Sequence, residues 1–472
     1  MRREDETAAA AGVAYEEATA WLAGLGERPV LPAGVEEAAG RFGGPLPEEG
    51  AGAVAALREL VAGSDAATAS PGPRFFHFVT GGVTPAALGA DWLTTALDQN
   101  AFSRVASPLA TRVETVAVRW LLELFRLPPE WGGALSTGAT GANLMGLAAA
   151  RQWWGERHGR DVGAQGLAGL PPVPVLSSGF VHASARKALA ALGIGRESVR
   201  TFSRDAAGSL DLPALTAALR ELRGAPAILI GNAGEVNAGA FDPLGALADL
   251  AEEHGAWLHV DGAFGLFARI TPRAAPLAEG VERADSVIAD GHKWLNVPYD
   301  CGFAFVRDPA LLVQVFGLAA AYLPAGEAEP NYGYLSPELS QRARSLAVWA
   351  TLRAWGRSGY REMVERHLDL AQRLAARVDE ADDLERLADV PLNIVCFRYR
   401  PAGVPEEDLD ALNERLGADL LADGRVYVGT TSFAGRTAFR PAIVNWRTSE
   451  GDVDLVADVV RELGARLLDG TK

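Results

Sequence analysis

At 472 residues the chain is too long for one ordinary hydrophobic core, so two domains with an N-terminal appendage are expected. A hydrophobic content of 49% against 22% charged residues excludes an intrinsically disordered chain. The formal charge of −16, from 44 basic and 60 acidic side chains without any Lys/Arg block, excludes a nucleic-acid partner.

The opening residues, MRREDETAAAAGVAYEE, mix acids into the start and lack an apolar core of signal-peptide length. No apolar run of about 18 residues occurs, so no membrane partner is expected and the protein reads as cytoplasmic. The two cysteines, Cys301 and Cys396, lie far apart without zinc-ligand spacing, which fits a reducing compartment and no metal.

In chain order, residues 1–74 read as a helical, Ala/Glu-rich segment with turn signals at Pro32, Gly43-Gly44-Pro45 and Pro71-Gly72-Pro73. Residues 75–355 alternate short apolar runs with amphipathic helices: VPVLSSGFV before HASARKALAALGIG, SVRTF before LDLPALTAALRELRG, APAILIG before DPLGALADLAEEHG, then AWLHVDG, DSVIADG and GFAFVRD. That alternation predicts a large α/β domain whose mostly parallel central sheet is flanked by helices. Residues 356–472 read as a smaller α+β domain, entered through a long helix over SQRARSLAVWATLRAWG and containing the strand NIVCFRY, the helix EEDLDALNERLGADLLADG and strands around YVGTTSF and AFRPAIVNW.

Four segments fall at predicted strand ends, where an α/β fold places its chemistry. In LSTGATGANLMGLAAAR, Gly138, Ala139 and Thr140 open a helix with Asn143 in its first turns, and their N–H groups and the threonine hydroxyl can face an anion. A turn that simply caps a helix is the alternative. In SSGFVHASARKA, His182 opens a helix, either as its cap or as a flat ring stacked on a planar cofactor. In AWLHVDGAFGLFA, Asp261 ends an apolar strand, with His259 two residues earlier on the same face and Ala263 on the following turn. A buried acid there needs a cation, a donor or a helix to cap.

The fourth segment is ADGHKWLNVPYDCG, where Lys293 follows a buried strand beside His292. Apolar surroundings and a neighbouring imidazole disfavour the ammonium form, and a neutral amine attacks an aldehyde. A phosphate cradle, a stacking ring, a carboxylate for a pyridine nitrogen and a lysine for an aldehyde together select pyridoxal 5′-phosphate.

HVDGAFG, DGHKWLNVPYDCG, STGATGAN, FVHASARKA and PRFFHFVTGG resemble the group II pyridoxal-phosphate decarboxylases, the aromatic-amino-acid and glutamate decarboxylase family of fold type I, in order from about residue 70 to 450. The resemblance implies that Lys293 is the Schiff-base lysine, His182 stacks on the cofactor ring, Asp261 pairs with the pyridine nitrogen and Ala263 packs beneath the ring. Ala139, Thr140 and His292 match phosphate-binding positions, and Phe76 and Phe78 fall near a substrate-pocket strand. Phe102, in NAFSRVASP, matches an aromatic that relatives push into the partner subunit's active site, which implies a homodimer with a shared site. Arg440, in FRPAIVNWRT, matches a small-domain arginine near the site, a structural salt bridge being the alternative.

Two positions depart from the family pattern. Val236, in GNAGEVNAGAFDP beside Asn237, stands where relatives often place a threonine, which loses a hydroxyl contact. The segment AAYLPAGEAEPNYGYLSPELSQRARSL is similar to the family's mobile catalytic loop mainly at its end; Tyr332 matches the loop tyrosine that protonates Cα, with Tyr334 competing for that role. The implied reaction is decarboxylation of an L-amino acid, aromatic or large and apolar, to CO2 and an amine. Aldehyde-forming decarboxylation, transamination and carbon–carbon bond chemistry on the same scaffold remain open.

Overall fold

The computed structural model describes residues 3–32, 34–317 and 331–470. Residues 318–330, which carry Pro330 and the first part of the expected loop, lie outside the described residues. Seven strands form the large sheet: β1 (Gly132–Ser136), β2 (Val175–Ser177), β3 (Val199–Thr201), β4 (Ile228–Asn232), β5 (Trp257–Asp261), β6 (Ser286–Asp290) and β7 (Gly302–Val306). Their spatial order is β1-β7-β6-β5-β4-β2-β3, with β7 antiparallel to both neighbours and the other pairs parallel. Every residue of β4 to β7 is buried, because helices cover both faces and leave two separate apolar layers. Such strands read as continuous apolar runs in sequence.

A second sheet, β8 (Leu384–Arg386), β9 (Phe397–Tyr399), β10 (Thr430–Phe433) and β11 (Arg436–Phe439), is antiparallel in the order β10-β11-β9-β8. The helix Ser345–Asp379 links the two sheets and is interrupted at Gly356, whose φ of 61° is left-handed. The N-terminal helices Arg3–Ala23, Val35–Ala39 and Ala53–Val61 precede a strand-like contact in which Phe75 bridges Tyr427. Among the described residues no helix is long and apolar enough to cross a membrane.

The parallel strands point their C-terminal ends toward one edge, where the turns after β1, β2, β4, β5 and β6 converge. The turn after β6 is the most heavily tied. Asn296, at φ 56°, donates to the carbonyls of Trp294 (2.8 Å) and Val444 (2.9 Å) and accepts from the amides of Gly82 (2.8 Å) and Trp446 (3.0 Å). Gly81 lies so close that a Cβ there would sit 1.9 Å from the Lys293 carbonyl oxygen, which explains a glycine in PRFFHFVTGG. The Trp294 indole donates to His367 Nδ1 (2.8 Å), so the His367 proton sits on Nε2 and reaches the Asn445 carbonyl (3.0 Å).

Burial lowers the His367 pKa to about 3. Folding therefore favours the neutral ring, and the stability it contributes is lost as pH falls from about 6.5 toward 3. Trp294→Phe strands Nδ1 without its donor and is expected to cost about 1–3 kcal/mol, read as a lower denaturant midpoint. The wild-type midpoint is expected to fall on acidification below pH 6.5; a flat profile there would contradict a neutral buried imidazole.

Candidate functional site

The converging turns enclose a cavity of about 310 Å³ lined by Gly138, Ala139, Thr140, His182, Asp261, Ala263, His292, Lys293 and Arg440, nine of the residues singled out from sequence, together with Phe78 and Val236. Gly138 has φ 129°, and a Cβ on it would lie 2.9 Å from His292 Cε1. Only glycine leaves that corner open. Behind it begins the helix Ala139–Glu156, whose first N–H groups lack intrahelical partners. This is an anion cradle at the positive end of a helix dipole.

His182 is both cap and wall. Its Nδ1 accepts from the Ser184 amide (3.2 Å) and lies 2.7 Å from the Ser184 hydroxyl. With Nδ1 taken as acceptor, the ring proton sits on Nε2. Burial lowers the His182 pKa, with Asp261 opposing, so the ring is held neutral.

Asp261 is oriented by a chain of hydrogen bonds that begins at an obligate donor. The Trp257 indole donates to Ser286 Oγ (3.0 Å), and the Ser286 hydroxyl donates to His259 Nδ1 (2.8 Å). His259 Nε2 donates to Asn143 Oδ1 (2.8 Å), and the Asn143 amide donates to Asp261 Oδ2 (2.9 Å) and Ser184 Oγ (3.1 Å). Trp257 at one end can only donate and a carboxylate at the other can only accept, so every proton between them has one position. His259 is fully buried and its pKa is lowered to about 4, which keeps the direction of the chain fixed at neutral pH. Asp261 Oδ1 accepts from the Ala263 amide (3.2 Å).

Lys293 Nζ lies 3.0 Å from Asp290 Oδ2, at the end of β6, and 5.9 Å from the centre of the Phe264 ring. His292 stacks on Tyr299 with ring centres 4.3 Å apart and accepts from the Cys301 amide (3.2 Å); burial lowers its pKa. Arg440 reaches the cavity from the end of β11, 7% exposed, with Nη1 buried and without a hydrogen-bond partner. Glu235, 5% exposed on another wall, accepts from the amides of Asn237 and Ala238 at 2.8 Å, and burial raises its pKa.

Three expected site residues lie elsewhere in the chain. Phe76 is 1% exposed and packed in a separate apolar core with Leu370 and Phe439, because the segment pairs with Tyr427 before it turns toward the cavity. Phe102 and Tyr332 do not line this cavity either: the Gly333 amide donates to the Phe102 carbonyl (3.0 Å), and the buried Tyr332 hydroxyl donates to Thr115 (3.1 Å). Tyr332 and Tyr334 border a second cavity of about 450 Å³ with Thr115 and Trp131. Sequence reading left Asp290, Ser184, Ser286 and Glu235 without roles; the three-residue step from Asp290 to Lys293 was the one available signal.

The pocket fits pyridoxal 5′-phosphate on its own terms. The Gly138 corner that a Cβ would fill, the donor-held carboxylate, the neutral flat ring and the lysine face a single space. A family model for the pyridoxal-dependent decarboxylase conserved domain matches residues 64–400. The chain is 29% identical to the aromatic-L-amino-acid decarboxylase of Bacillus atrophaeus over 385 residues, 80% of this chain and 78% of that one. It is 33% identical to the L-2,4-diaminobutyrate decarboxylase of Rhizobium meliloti (strain 1021) over 442 residues, covering 90% and 84%. Oryza sativa TDC, solved with PLP and tryptamine, superposes with a TM-score of 0.90 at 26% identity over 99% of both chains.

Asn143→Ala removes the donor to Asp261 Oδ2 and the acceptor of His259 Nε2 together. Cofactor affinity is expected to fall about tenfold or more, as for the partner of a charged buried group. Fluorescence titration of the cofactor-free chain measures it, and an unchanged dissociation constant would show that Asp261 is oriented without Asn143.

Proposed function

The chain belongs to the pyridoxal-dependent decarboxylase family: it is a carboxy-lyase acting on an amino acid with pyridoxal 5′-phosphate as cofactor, and on that premise we propose which residues do the work and which side chain they accept. The carrying observation is the convergence of Lys293, a donor-held Asp261, a neutral His182 and the open Gly138 corner on one cavity.

Gly138, Ala139, Thr140 and His292 would hold the phosphate; His182 and Ala263 would flank the ring; Asp261 would keep a proton on its nitrogen; and Lys293 would carry the aldehyde. Bound there, the cofactor supplies the electron sink for the bond that breaks at Cα. Its companions in this chain fix geometry. The Nε2–H of His182 and the unpartnered Nη1 of Arg440 are two donors for the substrate carboxylate, able to hold the Cα–carboxylate bond in one orientation while the buried Phe180 and Phe264 exclude water.

Phe78, Phe180, Val236 and Phe264 favour an aromatic or large apolar side chain. A second reading comes from Glu235: a buried carboxylate on the same wall favours an ammonium-bearing side chain, as in the substrate named for the Rhizobium relative. CO2 release across phenylalanine, tyrosine, tryptophan, 2,4-diaminobutyrate and ornithine separates them. With an aromatic substrate, Glu235→Gln leaves KM within about threefold; with a diamino acid it raises KM about 10- to 100-fold, the scale of a lost charged contact.

Assembly completes the reading. Leu93, Leu97, Val105 and Leu109, on the stretches of chain either side of Phe102, are exposed, and apolar side chains left exposed there suit a second copy of the chain. In a homodimer, Phe102 and the turn Tyr332–Tyr334 would serve the partner's cavity, with Tyr332 leaving Thr115 to protonate Cα. Light scattering is expected to report a dimer. Lys293→Ala is expected to abolish turnover and the visible cofactor band without unfolding the chain; a variant retaining both would move the cofactor attachment elsewhere. Tyr332→Phe is expected to shift products from amine toward aldehyde, and an unchanged ratio would remove Tyr332 from proton delivery.

A further inference from the structure

Lys293 does not meet a neutral wall. Asp290 ends β6 three residues earlier, is 2% exposed, and places Oδ2 3.0 Å from Lys293 Nζ. Its other oxygen, Oδ1, is buried without a hydrogen-bond partner, 3.6 Å from His292 Nε2 and 3.4 Å from where a Cβ on Gly138 would stand. The acid therefore lies directly under the anion cradle and beside the lysine at once.

Two negative groups in that corner repel each other, and the repulsion is strong where water is scarce. An arriving phosphate raises the affinity of Asp290 for a proton, and a proton donor stands 3.0 Å away. We propose that Asp290 is the proton acceptor for Lys293, and that an anion seated on the Gly138–Thr140 turn drives the transfer, so that phosphate binding itself frees the amine that attacks the aldehyde. Lys293 Nζ gives one proton to Asp290 Oδ2, its lone pair forms the bond to the aldehyde carbon, and the aldehyde oxygen leaves as water with the two protons that remained on nitrogen. The first proton stays on Asp290, where it removes the repulsion.

The neighbouring groups do not compete for that proton. His292 spends Nδ1 on the Cys301 amide and turns a proton-bearing Nε2 toward Asp290. His182 likewise spends Nδ1 on the Ser184 amide, and Arg440 across the cavity has no basic site to offer. Asp261 is occupied by Asn143 and Ala263. Behind His292, Cys301 is a buried thiol pushed up by burial, Asp300 is paired with Arg344 (2.8 Å), and Glu114 accepts from the Leu135 amide (3.2 Å).

The inference rests on Lys293 being the cofactor lysine, and the test keeps the two apart. The full chain, stripped of cofactor, is mixed with pyridoxal, which carries the aldehyde but no phosphate, with or without inorganic phosphite as the separate anion. Attachment is followed by visible absorbance against pH, independently of turnover. Phosphite is expected to speed attachment to the wild-type chain about tenfold at neutral pH, the effect of about a tenfold larger share of the Lys293–Asp290 pair holding its proton on the carboxylate. Asp290→Asn, whose amide cannot take the proton, is expected to attach pyridoxal at a rate that phosphite changes by less than about twofold. Asp290→Glu, which restores a carboxylate, is expected to recover part of the acceleration. Attachment to wild-type Lys293 without acceleration, or equal acceleration in Asp290→Asn, overturns the inference while leaving the lysine in place. No attachment, or attachment that survives Lys293→Ala, overturns the lysine assignment and the inference with it. Should Asp290→Asn not fold, a wild-type pH profile that phosphite does not move is sufficient to overturn it.

Discussion

Adjacent parallel strands of this sheet end in carboxylates, and each must be satisfied away from bulk water. Asp261 closes β5 and Asp290 closes β6, 7% and 2% exposed. An unpaired carboxylate so placed would be strongly destabilising. The surroundings of these two acids follow from that requirement: Asn143 and the Ala263 amide serve Asp261, while Lys293 serves Asp290. The same demand recurs at β4, where Asn232 and Ser178 hold Asp242 and burial raises its pKa to about 6. The edge of the sheet is thus a row of acids whose partners differ in kind. Asp261 has neutral donors, and Asp290 has a cation.

Satisfying Asp261 reaches far from the cavity. The chain through His259 and Ser286 ends on the Trp257 indole, and Trp257 and His259 lie on the strand that Asp261 terminates, so strand register and the orientation of the acid are one constraint. Because burial holds His259 neutral near neutral pH, the donors that reach the carboxylate keep one arrangement. The lysine is fixed by a different set of contacts, in which Trp294 and Asn296 anchor its turn to His367 on the helix Ser345–Asp379 and to the Val444 carbonyl. Arg440 arrives from the end of β11, in the second sheet. The cavity therefore draws its lining from both sheets.

The cavity walls have a divided character. Phe78, Phe180 and Phe264 give apolar surface, whereas Glu235 and Arg440 are buried charges with no ion pair between them among the described residues. Keeping opposite charges buried in one cavity without joining them costs stability and suits a ligand that would meet each separately. Phe78 and Val79 both have φ of 56°, an uncommon conformation for residues with large side chains, and they form part of this wall.

Strand–helix alternation and apolar runs were enough to read the α/β class from sequence, since a sheet covered on both faces leaves no polar alternation to confuse the pattern. Lys293, Asp261 and His182 were also legible, because a lysine, an acid or an imidazole immediately after an apolar strand is conspicuous in one dimension. Asn143, Ser184 and Ser286 were not, because their importance lies in hydrogen bonds to residues 41, 118 and 27 positions away or more, and nothing local marks them. Phe76 looked equivalent to Phe78 in sequence, but only the path of the backbone decides that Phe78 lines the cavity while Phe76 is buried in a separate core. The sequence by itself determined the chemistry that strand ends could carry. Tertiary structure alone decided which of those side chains share a cavity, since distance between residues remote in the chain is set by packing and register rather than by composition.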